Sequence, residues 1–103
     1  MRKNEYEIII SQEAESELIL SFQFYEDKRQ GLGKKFVVEV DFILIRILEN
    51  YEQFPKVRNK NIRKAVLSTF PFSIYFATND NIISILAIFH GSRNPVQIFG
   101  RLK

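Results

Sequence analysis

Residues 72–90 read FSIYFATNDNIISILAIFH, and the fold turns on how that stretch divides. Phe72, Ile74 and Phe76 alternate with Ser73, Tyr75 and Ala77, the period of a strand with two distinct faces. Asn79, Asp80 and Asn81 then supply turn chemistry, because short polar side chains bond their own backbone and tolerate left-handed dihedrals. The run from Ile82 to His90 is apolar on both faces and nine residues long. That is too short to cross a bilayer as a helix, so it reads as a central strand covered on at least one side.

Working back along the chain, IRKAVLST (62–69) reads as a further strand, joined to the next by a turn at Phe70-Pro71. Before it the period changes. Phe36, Val40, Ile43, Ile47 and Tyr51 mark one face of a helix, with Val37, Leu44 and Leu48 widening it. Phe54-Pro55 marks its stop, since proline lacks an amide donor and restricts its predecessor. An earlier helix carries Ala14, Leu18, Phe22 and Tyr25 on one stripe, which Leu20 and Phe24 are expected to broaden. Ser11 is placed to cap that helix, and the two glycines of KRQGLGK (28–34) suit a reversal between helices. EYEIII (5–10) completes the pattern as a first strand. The expected fold class is α+β in β-α-α-β-β-β order, a helical hairpin packed on a mainly antiparallel sheet, with residues 1–103 forming one domain.

Composition fits that reading. A chain of 103 residues that is 46% hydrophobic holds one sizeable core, and its 26% charged content argues against disorder. With no cysteine, disulfide scaffolds, thiolate catalysis and thiolate metal sites are excluded. The opening MRKNEYEIIISQEAESE has an apolar stretch too short for a signal peptide or a membrane helix; cytoplasmic residence away from membranes is the expectation. Charge is divided unevenly. Residues 1–55 carry seven Lys/Arg against eleven Asp/Glu, whereas residues 56–103 carry eight against one. The second half therefore projects a positive field suited to an acidic partner or a phosphate backbone.

Lys56, Arg58, Lys60, Arg63 and Lys64 cluster in KVRNKNIRK without an intervening acid, as either a binding surface or a solvated strand edge. Arg63 stands out because a strand start can hold a guanidinium for bidentate recognition. His90 ends the apolar strand, either to exchange a proton or to cover the end of the sheet. Gly91 and Pro95 shape the turn after it, which presents Arg93, and Arg101 adds a further basic candidate near the C-terminus. Neighbouring strand ends would usefully bring Arg63 and Arg93 together. The carboxylates of QEAESE (12–17) read as stabilising the start of a helix rather than as paired acid and base. Phe76, and on the opposite face Tyr75, are weighed as stacking residues, with Phe76 assigned to the core. A lone histidine gives no metal-ligand pattern and the glycines form no phosphate loop, so neither metal nor cofactor is expected.

Together YEIIISQEAESEL, FVVEVDFILIRILENYEQFP, IRKAVLSTFPFSIYF and ILAIFHGSRNP resemble, in order and over nearly the whole chain, the RelE/ParE superfamily of small bacterial toxins. The resemblance implies a type II toxin neutralised by a cognate antitoxin, in a toxin–antitoxin hetero-oligomer. It leaves two targets: DNA gyrase for ParE-like members, which are not hydrolases, and messenger RNA in the ribosome for RelE-like endoribonucleases. In the ribonuclease case Arg63 would stabilise phosphate charge, Arg93 would bind phosphate and His90 would donate a proton. HGSRNP resembles the ParE branch more closely, and no tyrosine follows Tyr75 to clamp a base, so gyrase is the favoured target and no catalytic residue is expected. A basic adaptor or structural domain is the alternative outside the superfamily.

Overall fold

The central strand sits where its double apolar character requires. A computed structural model describes residues 6–58 and 61–101, with strands β1 (Glu7–Ile10), β2 (Ile62–Val66), β3 (Phe72–Asn79) and β4 (Ile82–His90) and helices α1 (Gln12–Lys28) and α2 (Leu32–Glu49). The sheet order is β1-β4-β3-β2. β4 lies parallel to β1 and antiparallel to β3, and β3 is antiparallel to β2. Asp80 takes the left-handed conformation in the β3–β4 turn, at φ 56°, as a short acidic side chain permits.

Along β3 the alternation holds. Phe72, Ile74 and Phe76 face the helices, whereas Tyr75 and Ala77 join a second apolar cluster on the helix-free face. On β4 it breaks. Tyr75 pairs with Ala87 and Phe76 with Ile85, leaving Leu86 as an extra residue; Leu86 and Ala87 consequently both face away from the helices. This bulge re-aims two neighbouring side chains and disturbs the local ladder.

Ser11 caps α1 as expected, its Oγ accepting from the Ala14 amide at 3.1 Å. Ala14, Leu18 and Tyr25 pack on the core. Leu20 and Phe24 do not broaden that stripe: they are 65% and 54% exposed. At about 100° per residue both fall well around the helix from Ala14 and Leu18. At the hairpin Gly31 adopts φ 90°, and the Glu26 carboxylate accepts from the amides of Gly31 and Gly33 at 2.9 and 3.0 Å. A Cβ at Gly33 would stand 2.6 Å from the Phe22 carbonyl oxygen, so this glycine lets two backbones meet.

α2 buries Phe36, Val40, Ile43 and Ile47, with Val37, Leu44 and Leu48 packed beside them. It ends at Glu49, so Tyr51 belongs to a 3-10 turn (Tyr51–Gln53) rather than to the helix, although it still packs on the core. The other side of the sheet is closed by a second 3-10 segment, Pro95–Arg101, which seats Ile98 fully buried over the helix-free cluster. No helix among the described residues is long and apolar enough to cross a membrane.

Candidate functional site

The site begins with a backbone problem. β1 pairs with β4 only as far as Ile85, leaving the continuation of β4 with an open edge on that side, next to the bulge. Glu17 and Arg101 close it. The Ile88 amide donates to Glu17 Oε1 at 3.0 Å, and Arg101 Nη1 donates to the Leu86 carbonyl at 3.0 Å. The two side chains also meet each other, with Arg101 Nη1 and Nη2 at 3.2 and 3.0 Å from Glu17 Oε1 and Oε2. Such a two-point pair holds both orientation and charge.

Arg93 joins from the loop after β4. Its Nη1 stands 3.5 Å from Glu17 Oε2, and its Nη2 donates to Gln97 Oε1 at 2.6 Å. Both guanidinium groups lie over Phe89, with centroid distances of 4.3 Å for Arg93 and 5.9 Å for Arg101. Two cations thus share one carboxylate, and the cluster keeps a net positive charge.

Other basic candidates extend this surface across the helix-free face. Lys64 pairs in register with Tyr75 and holds its Nζ 5.8 Å from that ring, while Arg58, at φ 52°, lies 6.0 Å from the centre of Phe99. Arg58, Lys64, Arg93 and Arg101 therefore surround the Ile98 cover. Lys56 is exposed and bridges to Arg63; Lys60 lies outside the described residues.

Arg63 points the other way. Its Nη1 donates to the Phe54 carbonyl at 2.7 Å and approaches that of Glu52 at 3.4 Å, and its guanidinium sits 5.5 Å from the Tyr51 ring. Local anchoring of the turn after α2 occupies it. Arg63 pairs with Phe76, whereas His90 pairs with Phe72, four positions along β3 and about 13 Å away at strand rise. Arg63 and Arg93 do not share neighbouring strand ends, and Arg63, His90 and Arg93 do not converge on one reacting centre. His90 is exposed, places its ring 5.6 Å from Phe72, and accepts the Ser92 amide on Nδ1 at 3.0 Å. Tyr75 and Phe76 are both buried, so neither offers a face to a base.

Glu17 is the residue that reading the sequence missed. QEAESE looks like helix-start chemistry, and Glu13 and Glu15 do occupy the first turn. Glu17 lies beyond it and reaches β4 and the C-terminal segment, a contact spanning 84 positions to Arg101. Glu39 was likewise unmarked. Burial pushes its carboxyl upward, but hydrogen bonds from the Ser68 hydroxyl and the amides of Ser68, Thr69 and Phe70 outweigh this and hold it below its ordinary range. It fastens α2 to the β2–β3 turn. Beside it opens a groove of about 620 Å³ with Val38, Phe42 and Phe70 in its walls and Arg29 and Lys35 among its lining residues. Among the described residues no group of three His, Asp or Glu is arranged for a metal ion.

No protein-family model matches the chain, and no curated protein matches it by sequence. Among solved structures, a chain of the chromosomal ParDE TA system from P. aeruginosa matches with a TM-score of 0.75 at 18% identity. The match covers 85% of this chain and 98% of that one. The fold is RelE/ParE-like. At this identity the RelE/ParE-like fold is carried by the placement of elements rather than by matching side chains: a hairpin on one face, and a sheet whose first strand runs parallel to its last.

Proposed function

We propose that the chain is the toxin of a bacterial type II toxin–antitoxin system, directed at DNA gyrase and neutralised by a cognate antitoxin in a hetero-oligomer. The observation that carries this reading is the match to 98% of a ParDE chain, a name that denotes a toxin–antitoxin system. Gyrase is favoured over messenger RNA by the separation of Arg63 from His90 and Arg93, and by the engagement of Arg63 with backbone carbonyls. In-line cleavage of RNA needs those groups oriented around one phosphate.

An antitoxin has a fitting surface on α2. Val38, Phe42 and Ile45 form an exposed apolar stripe, 58%, 59% and 54% accessible, along the groove that Arg29 and Lys35 help to line. An amphipathic segment with apolar anchors and flanking acids would complement both. Expression of the chain alone should arrest bacterial growth, and coexpression of the adjacent small open reading frame should restore it through a stable complex. Unimpaired growth with the soluble chain present, and no complex, would sink the toxin reading.

A further inference from the structure

Three successive backbone amides of the β2–β3 turn, those of Ser68, Thr69 and Phe70, converge on the Glu39 carboxylate. The Ser68 and Thr69 amides donate to Glu39 Oε2 at 2.7 and 3.1 Å, and the Ser68 hydroxyl adds a further donor at 2.6 Å. Amides that converge in this way form an anion-binding concavity. Its shape does not rest on Glu39 alone. Phe70 is buried against Tyr25 and Phe36, with ring centroids 4.8 and 5.3 Å away, and the Leu67 amide ties the base of the turn by donating to the Phe72 carbonyl at 3.0 Å. These holds keep the amides aimed outward when the carboxylate departs, so the concavity is preorganised for an anion.

The concavity opens on the α2 groove, whose lining includes both Glu39 and Thr69. Charge in that groove is unbalanced. Arg29 and Lys35 are exposed, and among the described residues neither side chain meets a carboxylate. Glu39 is the only acid among the lining residues, and the turn already holds it. Lys35 precedes it by four positions on α2, a spacing that brings two helix side chains within about 5–6 Å at Cβ. A Glu39 side chain turned out of the concavity therefore meets a cation instead of leaving its charge unmatched.

We propose that the amides of residues 68–70 are a binding site for one carboxylate side chain of the partner segment that occupies the α2 groove, and that Glu39 fills this site in the free chain as an internal stand-in. The inference deepens the antitoxin reading of the groove and rests on that reading for the identity of the partner. On docking, the incoming carboxylate takes the amides and the Ser68 hydroxyl, Glu39 swings to Lys35, and apolar residues flanking the incoming acid cover Val38 and Phe42, which are 58% and 59% exposed. One set of charge-assisted hydrogen bonds replaces another, while the groove gains the negative charge that Arg29 and Lys35 lack. A segment without an acid at that point leaves Glu39 in place, so the exchange selects between partners.

The test titrates the full chain, labelled with ¹⁵N and ¹³C, with a capped amphipathic peptide of about 15 residues that carries leucines on one face, one central glutamate beside them and glutamine elsewhere. A second peptide replaces that glutamate by glutamine, and a third arm uses inorganic phosphate. The glutamate peptide should shift the Ser68, Thr69 and Phe70 amides, move the Glu39 carboxyl carbon to the position of a solvated carboxylate, and bind at least about threefold more tightly than its glutamine counterpart. In Glu39→Ala, where the internal competitor is gone, that preference should grow to about tenfold or more. Glu39→Gln, a weaker competitor that keeps more of the native contact, should move the preference the same way, which keeps the proposal falsifiable should the alanine variant not fold. Equal affinities of the two peptides, a preference that does not grow in the folded Glu39 variants, a Glu39 carboxyl undisturbed at saturation, no binding at about 1 mM, or phosphate saturating the same amides at lower concentration than the glutamate peptide would each overturn the proposal. The titration reads the isolated chain, whereas growth arrest and its rescue read the toxin, so either reading can fail without the other.

Discussion

Removing the Glu17 carboxylate tests whether one side chain closes the open edge of β4. In Glu17→Ala, the Ile88 amide loses its acceptor and Arg101 loses both contacts to the carboxylate. The side chains of Glu17 and Arg101 are only 14% and 17% exposed, so the near-zero value of a surface pair does not apply. Breaking a fully buried pair costs about 3–5 kcal/mol. Here Arg101 retains the Leu86 carbonyl and Arg93 is partly solvated, which places the expected loss at about 2–3 kcal/mol. In urea titrations that is a midpoint shift of about 1 M. Glu17→Gln should lose less, because its amide oxygen can still accept from Ile88. A double-mutant cycle with Arg101→Ala should give a coupling of about 1 kcal/mol or more. A Glu17→Ala loss under about 0.5 kcal/mol, the level of an ordinary surface change, or additivity of the two variants, would refute the closing role.

Alanine ordinarily improves a helix position held by glycine by about 1 kcal/mol, but Gly33→Ala should destabilise by about 1–2 kcal/mol, because its Cβ meets the Phe22 carbonyl at 2.6 Å and overpacking costs about 1–3 kcal/mol. A raised Tm for Gly33→Ala would contradict that close approach. The depressed Glu39 carboxyl contributes stability above the unfolded-state glutamate pKa of about 4.3, and that contribution fades as pH falls through the lower folded-state value. Urea titrations from pH 6 downward should therefore show a shallower acid loss for Glu39→Gln than for the parent chain, and identical slopes would count against the sign. Charge reversal at Arg58 or Lys64, on the helix-free face, should weaken target binding more than reversal at Lys28 or Lys34 at the hairpin; equal losses at all four would indicate diffuse attraction.

The helices and strands were legible because their patterns were periodic. Alternation through Phe72–Ala77 and the double-sided apolar run of β4 located the sheet centre, and the spacing of Phe36, Val40, Ile43 and Ile47 gave the buried face of α2. Leu20 and Phe24 lie off the buried stripe by angle, which their apolar identity alone does not reveal. The outer stripe of α2, Val38, Phe42 and Ile45, is hidden in the sequence because a helix hydrophobic on two sides has the same pattern as a helix with one broad face. The Pro95–Arg101 cover lacks periodicity, and only the fold shows that Ile98 lands on the sheet. Local spacing equally hides Glu17: its partners depend on where β1 stops and where β4 bulges. Arg63 and Arg93 could be singled out as basic residues at strand margins, but the strand register that separates them is not written in their neighbours.

The most direct measurement of the central claim assays the purified chain in parallel for inhibition of gyrase supercoiling and for ribosome-dependent messenger RNA cleavage, with an unrelated basic protein as the control for nonspecific DNA binding. The account predicts inhibition of supercoiling that the control does not reproduce, and no RNA cleavage. Unimpeded supercoiling together with specific RNA cleavage that His90→Gln abolishes would contradict it.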